Sequence, residues 1–562
     1  MFKKLIQLLN HEEKKIFFII ILSLVFGMSL EFISIGLLIP ILSILIKGPE
    51  GLLEFDLLKS YESIIISKED LLVTYGIIFI ISFFLFKYIF LCVLNFFQLN
   101  FASKVMRRLA LEIASNYLKR PYLSLKKANQ SSLINNIYKQ VEVFIANGFE
   151  PLMILLSELF IISGVIFFLF LYNSLAVFFI LIFLVFPSIL FYLFVKKKSK
   201  KYGFLQKNYD DKILKNVSDI LKSIKEIKIY QKFDEFLLTF KNNFLKISHI
   251  RRKKLFLNQL PRYWIEIFLI LSVCSLLFIT HKFENNEDIL IFLGVFSIGA
   301  FRILPSLNRI IINLQVLAFA QTSLKNIKDQ INGEYEKEEN KENLNHKFDF
   351  LEAKNLNFSY DDKKVLNNIS FIIRKGDIIG ITGKSGSGKS TLLDLIIGLI
   401  KPQKGEILFN GKYNIDLNTK QWLKNISYVP QNYSLIDESI DQNISLTLEE
   451  NKIDNNLIQK VLQISELKDV IERLPMKEKS RIGDSGSLLS GGQKQRIGIA
   501  RALYFKPKIL ILDESTSAID NETEKKIFNN FKVYYPDMTI IVVSHKLTTL
   551  EYCNKILNVF DK

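Results

Sequence analysis

Six apolar runs near the start limit this chain more than anything else in its sequence. They lie at about Ile16–Ile46, Leu71–Phe101, Leu152–Leu171, Leu175–Val195, Leu260–Thr280 and Ile289–Leu317. A bilayer's hydrocarbon core is crossed by roughly 20 residues of helix. A backbone inside it must satisfy its own hydrogen bonds, which selects helices. The runs therefore predict a six-helix, all-α transmembrane domain. The first, second and sixth exceed the required length, so they tilt or run on into water. After about residue 330 the sequence reads as ordinary globular α/β.

The net charge of +17 would suit a nucleic-acid partner, but the Lys and Arg are concentrated between apolar runs. That is the pattern of cytoplasmic loops on a membrane protein, and it excludes nucleic acid as the expected partner. The stretches Lys104–Lys139 and Lys196–Lys254, with KKKSKK and RRKK, are basic, whereas Lys47–Asp70 and Lys282–Asp288 carry many acids. Both termini are therefore expected in the cytoplasm, with the chain a multi-pass membrane protein among membrane lipids. The basic start MFKKLIQLLN has no prompt small-residue cleavage site and reads as the lead into a retained first helix. Three cysteines without a C-x-x-C give no disulfide framework.

Several loops carry their own signals. GLLEFDLLKSYESIII in the first outer loop reads either as a short amphipathic helix on the outer surface or as an ordinary packed loop. Segments such as NVSDILKSIKEIKIYQKFDEF keep helical periodicity with mixed charge, so the spanning helices are expected to continue well into the cytoplasm.

Ionisable residues inside a membrane are costly and usually functional. Lys87, Arg262, Glu266, Arg302 and Arg309 fall in the spans, with Glu31 the lone acid of the first. Arg302 lies roughly 20 Å below the outer end of its span at 1.5 Å per residue, and Arg309 follows one heptad later on nearly the same face. Cations with few acidic partners point to a lining for an anionic passenger. For Arg262 and Arg309 the alternative is snorkelling to the inner headgroups, with Arg262 paired to Glu266.

Polar, aperiodic sequence from Asn332 to Lys347 reads as a linker, dividing the chain into 1–331, 332–347 and 348–562. Beyond it, Gly383-Lys384-Ser385-Gly386-Ser387-Gly388-Lys389-Ser390-Thr391 is a phosphate-cradling loop. Its glycines let backbone N–H groups approach an anion, Lys389 reaches the outer phosphates, and Ser390 offers a hydroxyl to Mg²⁺. The β-like run Ile378–Thr382 enters it and an apolar helix leaves it, adding the helix dipole. A nucleoside triphosphate, ATP with Mg²⁺, is the expected cofactor.

The aliphatic run Ile509–Leu512 delivers Asp513 and Glu514 to a strand's C-terminal edge, where parallel sheets place chemistry. Asp513 would hold Mg²⁺, and Glu514 would orient or deprotonate the attacking water. Thr539–Val543 brings His545 to the same edge, although a single His is more often structural. Gln431, after the strand-like ISYVP, is in reach of metal and water. Tyr360 is placed either to stack on adenine or to fill a strand face.

Leu489-Ser490-Gly491-Gly492-Gln493 resembles the ABC signature without change. With the phosphate loop, Gln431, Asp513-Glu514, Ser517–Asp520 and His545 in order, residues 348–562 are similar to an ABC transporter nucleotide-binding domain. The segment Arg481–Gly486 resembles the exporter-type loop that senses the membrane domain. The resemblance implies an α/β P-loop ATPase domain with a helical subdomain. It also implies that ATP sits between one subunit's phosphate loop and the other's Ser490, Gly491, Gly492 and Gln493. One loop and one signature per chain then require a homodimer, or a partner half-transporter.

Over the whole chain, six spans followed by an ATPase resemble the exporter type of ABC half-transporter. EFISIGLLIPIL, Pro261-Arg262 and AFRILPSLNRI more narrowly resemble the bacterial lipid-linked oligosaccharide flippases of protein N-glycosylation. That resemblance implies an anionic polyprenyl-diphosphate passenger engaged by Arg262, Arg302 and Arg309. Lys87 stands where the family pattern has an arginine, keeping the charge without the bidentate fork. The alternative is a general exporter of lipids, drugs or peptides. The chain stops about seventeen residues after His545 without the family's glycine-bearing strand turn, so a trimmed sheet edge is expected.

Overall fold

The computed structural model describes residues 2–37, 69–172, 174–280, 286–333 and 347–559, the last apart from 362, 385, 418, 484 and 485. The first outer loop, most of the linker and Ser385 lie outside the described residues. The chain divides into two compact units, one of Met1–Arg120 and Lys127–Tyr335, the other of Pro121–Lys126 and Glu336–Lys562.

The first unit is built on long helices: α1 (His11–Gly36), α2 (Glu69–Leu118), α3 (Glu150–Tyr172), α4 (Phe186–Lys222), α5 (Phe233–Thr280) and α6 (Asn286–Ile331). Helices α2, with 50 residues, and α5, with 48, far exceed what a bilayer needs. The excess is the predicted continuation of the spans into water. Among the described residues, five helices are long and apolar enough to cross a membrane, rather than the six expected. The expected fifth span, Leu260–Thr280, is the end of α5, part of whose side chains lie outside the described residues.

Two apolar clusters hold this unit together. One gathers Phe17, Phe101, Phe144, Phe149 and Leu324, and the other Val165, Leu169, Phe191, Ile265 and Ile303. The opposite faces remain apolar too, with Phe79, Phe86 and Phe96 of α2 exposed. A helix that is hydrophobic all round belongs in a bilayer or deep in a protein core, not against water. Two π-helical turns interrupt the bundle, at Ile145–Phe149 and Leu181–Val185. The second precedes Pro187, whose missing N–H breaks the α-helical ladder and lets the turn widen.

In the second unit, β1 (Phe350–Tyr360), β2 (Lys363–Arg374), β4 (Lys404–Phe409) and β5 (Tyr413–Asn414) form an antiparallel sheet ordered β2-β1-β4-β5. A parallel sheet ordered β6-β7-β8-β3-β9 joins β3 (Ile378–Thr382), β6 (Ile426–Val429), β7 (Ile509–Asp513), β8 (Thr539–Val543) and β9 (Lys555–Asn558). Every residue of β7 and β8 is buried, as strands covered on both faces must be. The helices α7 (Lys389–Ile397), α8 (Gly491–Tyr504) and α9 (Asn521–Tyr534) complete the frame that matters for the site. At the edge where trimming was expected, the four-residue β9 pairs in parallel with β3 from Ile379↔Lys555 to Thr382↔Asn558 and is the outermost strand.

Candidate functional site

The phosphate loop leaves β3 and enters α7, with Gly388 as N-cap at φ 94°. A side chain there would be strained in the left-handed region and would put its Cβ 2.8 Å from Val365 Cγ1. Only glycine suits both conditions, and Val365 places the β1–β2 hairpin against the loop. Tyr360, the expected adenine stacker, ends β1 in an edge-to-face contact with Phe358 at 5.0 Å. Lys389 folds back so that Nζ donates to the Gly383 and Lys384 carbonyls at 2.9 and 3.0 Å.

Several features fit a bound phosphate. A Cβ at Gly386 would meet nothing within 4 Å, so the loop is open there. Ser387 Oγ is buried without a hydrogen-bond partner, the state of a group that meets a ligand. Ser390 is exposed and free to offer its hydroxyl, and Thr391 beside it is buried like Lys389.

The C-terminal ends of β6, β7 and β8 bring the expected catalytic residues together. Glu514 accepts a hydrogen bond from Gln431 Nε2 at 2.5 Å on Oε2, and His545 Nε2 lies 3.4 Å from Oε1. Glu514 holds φ at 48°, uncommon for a residue with a Cβ. Its N–H is tied to the Val543 carbonyl at 2.9 Å, which supports that conformation. Strain of this kind gathers at functional sites.

Asp513 is 8 % exposed, and burial pushes its carboxyl above the usual value. The Tyr428 hydroxyl, donating to Oδ2 at 3.0 Å, works against that rise. Tyr428 escaped the sequence reading, although it faces outward on β6 two residues before Pro430. Among the described residues no group of three His, Cys, Asp or Glu side chains gathers to hold a metal. One carboxylate with the Ser390 hydroxyl and the Gln431 amide fits Mg²⁺ carried in with nucleotide phosphates, which supply the other ligands.

The signature opens α8. Ser490 is its N-cap in a capping box with Gln493, donating N–H to Gln493 Oε1 at 2.8 Å and accepting from Gln493 N–H at 3.3 Å. Gly491 and Gly492 follow as the first helical residues, so unpaired N–H groups and the helix dipole face outward at this end. Gln495, also unrecognised from sequence, donates to Ser517 Oγ at 3.0 Å and accepts from Ala518 N–H at 2.8 Å. It ties the signature helix to the segment following Glu514.

The intramembrane cations have more acidic partners than the few expected. Lys87 lies 3.5 Å from Glu31 and donates to Ser34 Oγ at 3.0 Å, and Arg302 pairs with the same Glu31. Arg309 Nε lies 2.5 Å from Glu158, an acid of α3 that the sequence reading overlooked. Arg262 pairs with Glu266 one turn on at 2.8 Å while 68 % exposed, the arrangement expected of a snorkelling pair. Desolvation explains the pairing, since a lone buried ion is far costlier than a matched one. Lys87 and Arg302 still share a single carboxylate, leaving positive charge in excess.

Comparison with known proteins agrees with this geometry. The ABC transporter transmembrane region family matches residues 16–301, and the ABC transporter family matches residues 366–517. A putative export ATP-binding/permease protein of Rickettsia bellii is 39 % identical over 215 residues, which cover 38 % of this chain and 37 % of that protein. An ATP-dependent lipid A-core flippase of Ralstonia nicotianae is 35 % identical over 210 residues, 37 % of this chain and 36 % of its own length. An alpha-hemolysin translocation ATP-binding protein of Escherichia coli is 37 % identical over 238 residues, covering 42 % of this chain and 33 % of its own. The chain thus spans about a third of the length of these relatives. A bacterial Atm1-family ABC exporter with ATP bound superposes with a TM-score of 0.81 at 18 % identity, covering 97 % of this chain and 93 % of that one. That likeness establishes the exporter fold. The chain belongs to the ABC transporter family.

Proposed function

We propose that this chain is an ATP-hydrolysing half-transporter that works as a homodimer. Its passenger is an anionic lipid-linked oligosaccharide of the polyprenyl-diphosphate type, flipped to the outer leaflet. For the engine, the supporting observation is Glu514 held between Gln431 and His545, beside Asp513. ATP with Mg²⁺ supplies the phosphoryl group whose hydrolysis drives the cycle. Glu514 orients the attacking water and takes its proton, Gln431 and His545 fix its carboxylate, and Lys389 is the cation facing the phosphates. The signature's exposed helix N-terminus suits a partner's nucleotide, which is the reason for two copies.

For the passenger, the observation that carries the reading is the sharing of Glu31 between Lys87 and Arg302. A net positive cluster inside a bilayer is retained at a cost, and an anionic headgroup would offset it. Arg309 and Arg262 extend the cation series toward the inner surface. The flippase name carried by relatives is in line with a lipid passenger, while the hemolysin relative favours a peptide or protein passenger as the second reading.

The test is ATPase stimulation in proteoliposomes by pyrophosphate-linked glycolipids, single-phosphate lipids, hydrophobic drugs and peptides. Pyrophosphate glycolipids are expected to stimulate most, and Arg302→Gln with Arg309→Gln to abolish that response. Equal stimulation by drugs or peptides, or an unchanged response in the variants, would remove the glycolipid reading and leave the ATPase assignment standing.

A further inference from the structure

An open cavity of about 460 Å³ with a mixed apolar and polar lining lies among the helices of the first unit, its polar side formed by Asn147, Gln206, Arg251, Lys254, Asn258 and Asn313. It shares no lining residue with the Glu31–Lys87–Arg302 cluster. Its volume falls in the range of small-molecule sites, roughly 300–1,000 Å³, and far exceeds the needs of a single inorganic ion.

The cavity is built by a departure from regular helix. Asn147 sits on the π-helical turn Ile145–Phe149, and such turns re-aim side chains and recur at functional sites. Its amide nitrogen donates to the Val143 carbonyl at 3.0 Å, which leaves Oδ1 facing Lys254 Nζ at 3.3 Å. The other partner of that ammonium is the face of Phe319, 3.8 Å away. Phe319 can sit there because Gly203 admits its backbone, where a Cβ would come within 2.2 Å of the Phe319 carbonyl.

Charge and hydrogen bonding are both incompletely matched. Among the described residues no carboxylate pairs with Lys254. Arg251 lies 3.5 Å from Asp210, which is already held by Lys139 at 3.0 Å. The lining itself sets two cations against one acid, Glu150. Gln206 Oε1 is buried without a partner, and so are both amide atoms of Gln315, a residue only 1 % exposed. Gln315 lies apart, in a pocket of about 10 Å³ that has room for one water and borders the larger cavity at Lys254, Asn258 and Val316. The unmet buried amide oxygen of Gln206 asks for a hydroxyl donor, and an ammonium without a carboxylate asks for an anion.

We propose that this cavity binds a glycosyl phosphate, with Lys254 and Arg251 on the phosphate oxygens and the Asn147, Gln206 and Asn258 amides on sugar hydroxyls. The ligand comes either from the headgroup of a lipid-linked glycan or from a soluble sugar phosphate. Only the first source rests on the transport reading above.

The test is calorimetric titration of the full chain in nanodiscs without ATP. The probes are N-acetylglucosamine 1-phosphate, a short-chain prenyl-diphosphate N-acetylglucosamine, and inorganic phosphate. At least one glycosyl phosphate should bind about tenfold tighter than inorganic phosphate. Lys254→Gln and Gln206→Leu should each weaken it about tenfold, and Lys254→Arg should restore most of it. Binding of the prenyl probe alone assigns the lipid source, and binding of the soluble probe assigns the other. Absence of binding by both, parity with inorganic phosphate, or indifference to Lys254→Gln overturns the proposal. Stimulation of the ATPase by drugs instead of glycolipids would sink the transport reading without altering these titrations.

Discussion

The carboxylate of Glu31 lies 3.5 Å from the ammonium of Lys87, and each side chain is only 2 % exposed. The pair is buried across α1 and α2, with Arg302 of α6 as a second cation on the same acid. Removing the acid strands two charges, whereas removing acid and ammonium together strands one that is 25 % exposed. Glu31→Gln should therefore destabilise the first unit by about 3–5 kcal/mol, and Glu31→Gln with Lys87→Met by clearly less. Thermal unfolding of the detergent-solubilised chain checks the order. Equal losses in the single and double variants would mean that the pair is not energetically coupled.

Asp416 offers a pH-dependent measure of the second unit. Burial pushes its carboxyl up to about 6, only partly opposed by Lys401, and Oδ1 is buried without a partner. A folded value above the unfolded one, near 3.9, means that the folded state holds the proton more tightly. The resulting stability is complete below about pH 4 and lost as pH rises through 6. Asp416→Asn, which mimics the protonated form, should raise stability at pH 7 by about 1–2 kcal/mol and flatten the gain on acidification to pH 5. Trp422, buried nearby in the helix Thr419–Leu423, reports this unfolding by fluorescence once Trp264 is replaced by Phe. A variant that is no more stable than the parent at pH 7 would contradict the assignment.

The nucleotide site was legible because its chemistry is written in contiguous strings. Residues Gly383–Thr391, Leu489–Gln493 and Asp513-Glu514 each sit at the end of a strand or the start of a helix, so a local pattern carries both fold and role. Tyr428 and Gln495 were not legible, since each acts on a partner far along the chain, at Asp513 and at Ser517-Ala518. The intramembrane cations were found by their cost in lipid. Their partners were harder to see: Glu158 meets Arg309 across 151 residues of sequence, a pairing that helical packing creates and periodicity does not encode. The edge strand β9 was missed because its four residues carry no strong strand signal apart from their place beside β3.

Gln495 should matter to turnover more than to nucleotide binding. It is 6 % exposed and satisfies both Ser517 and the Ala518 N–H, linking α8 to the loop after Glu514. Gln495→Leu leaves that N–H unmet at a cost of about 1–3 kcal/mol and frees the two segments from each other. ATPase activity should fall by an order of magnitude or more, with fluorescent ATP-analogue binding to the phosphate loop changed by no more than about twofold. A parallel loss of binding would show that the substitution damages the domain as a whole.

Tyr428 is the residue through which Asp513 is aimed. Its hydroxyl occupies Oδ2 at 3.0 Å, leaving the other carboxylate oxygen for Mg²⁺. Tyr428 is 37 % exposed, so Tyr428→Phe removes one hydroxyl without opening a cavity. A hydrogen bond to a charged group contributes about 1.5–3 kcal/mol, so the Mg²⁺ concentration for half-maximal activity should rise about tenfold, with a smaller change in kcat at saturating metal. The pH dependence has a definite sign. Burial already raises the Asp513 carboxyl, and the tyrosine is the largest influence lowering it. Losing that influence raises it further, so the acidic limb of the rate profile should move to higher pH. Mn²⁺ binding followed by electron paramagnetic resonance in the presence of ATP gives a readout independent of turnover. Unchanged Mn²⁺ affinity with an unmoved acidic limb would show that Asp513 is positioned by its strand alone.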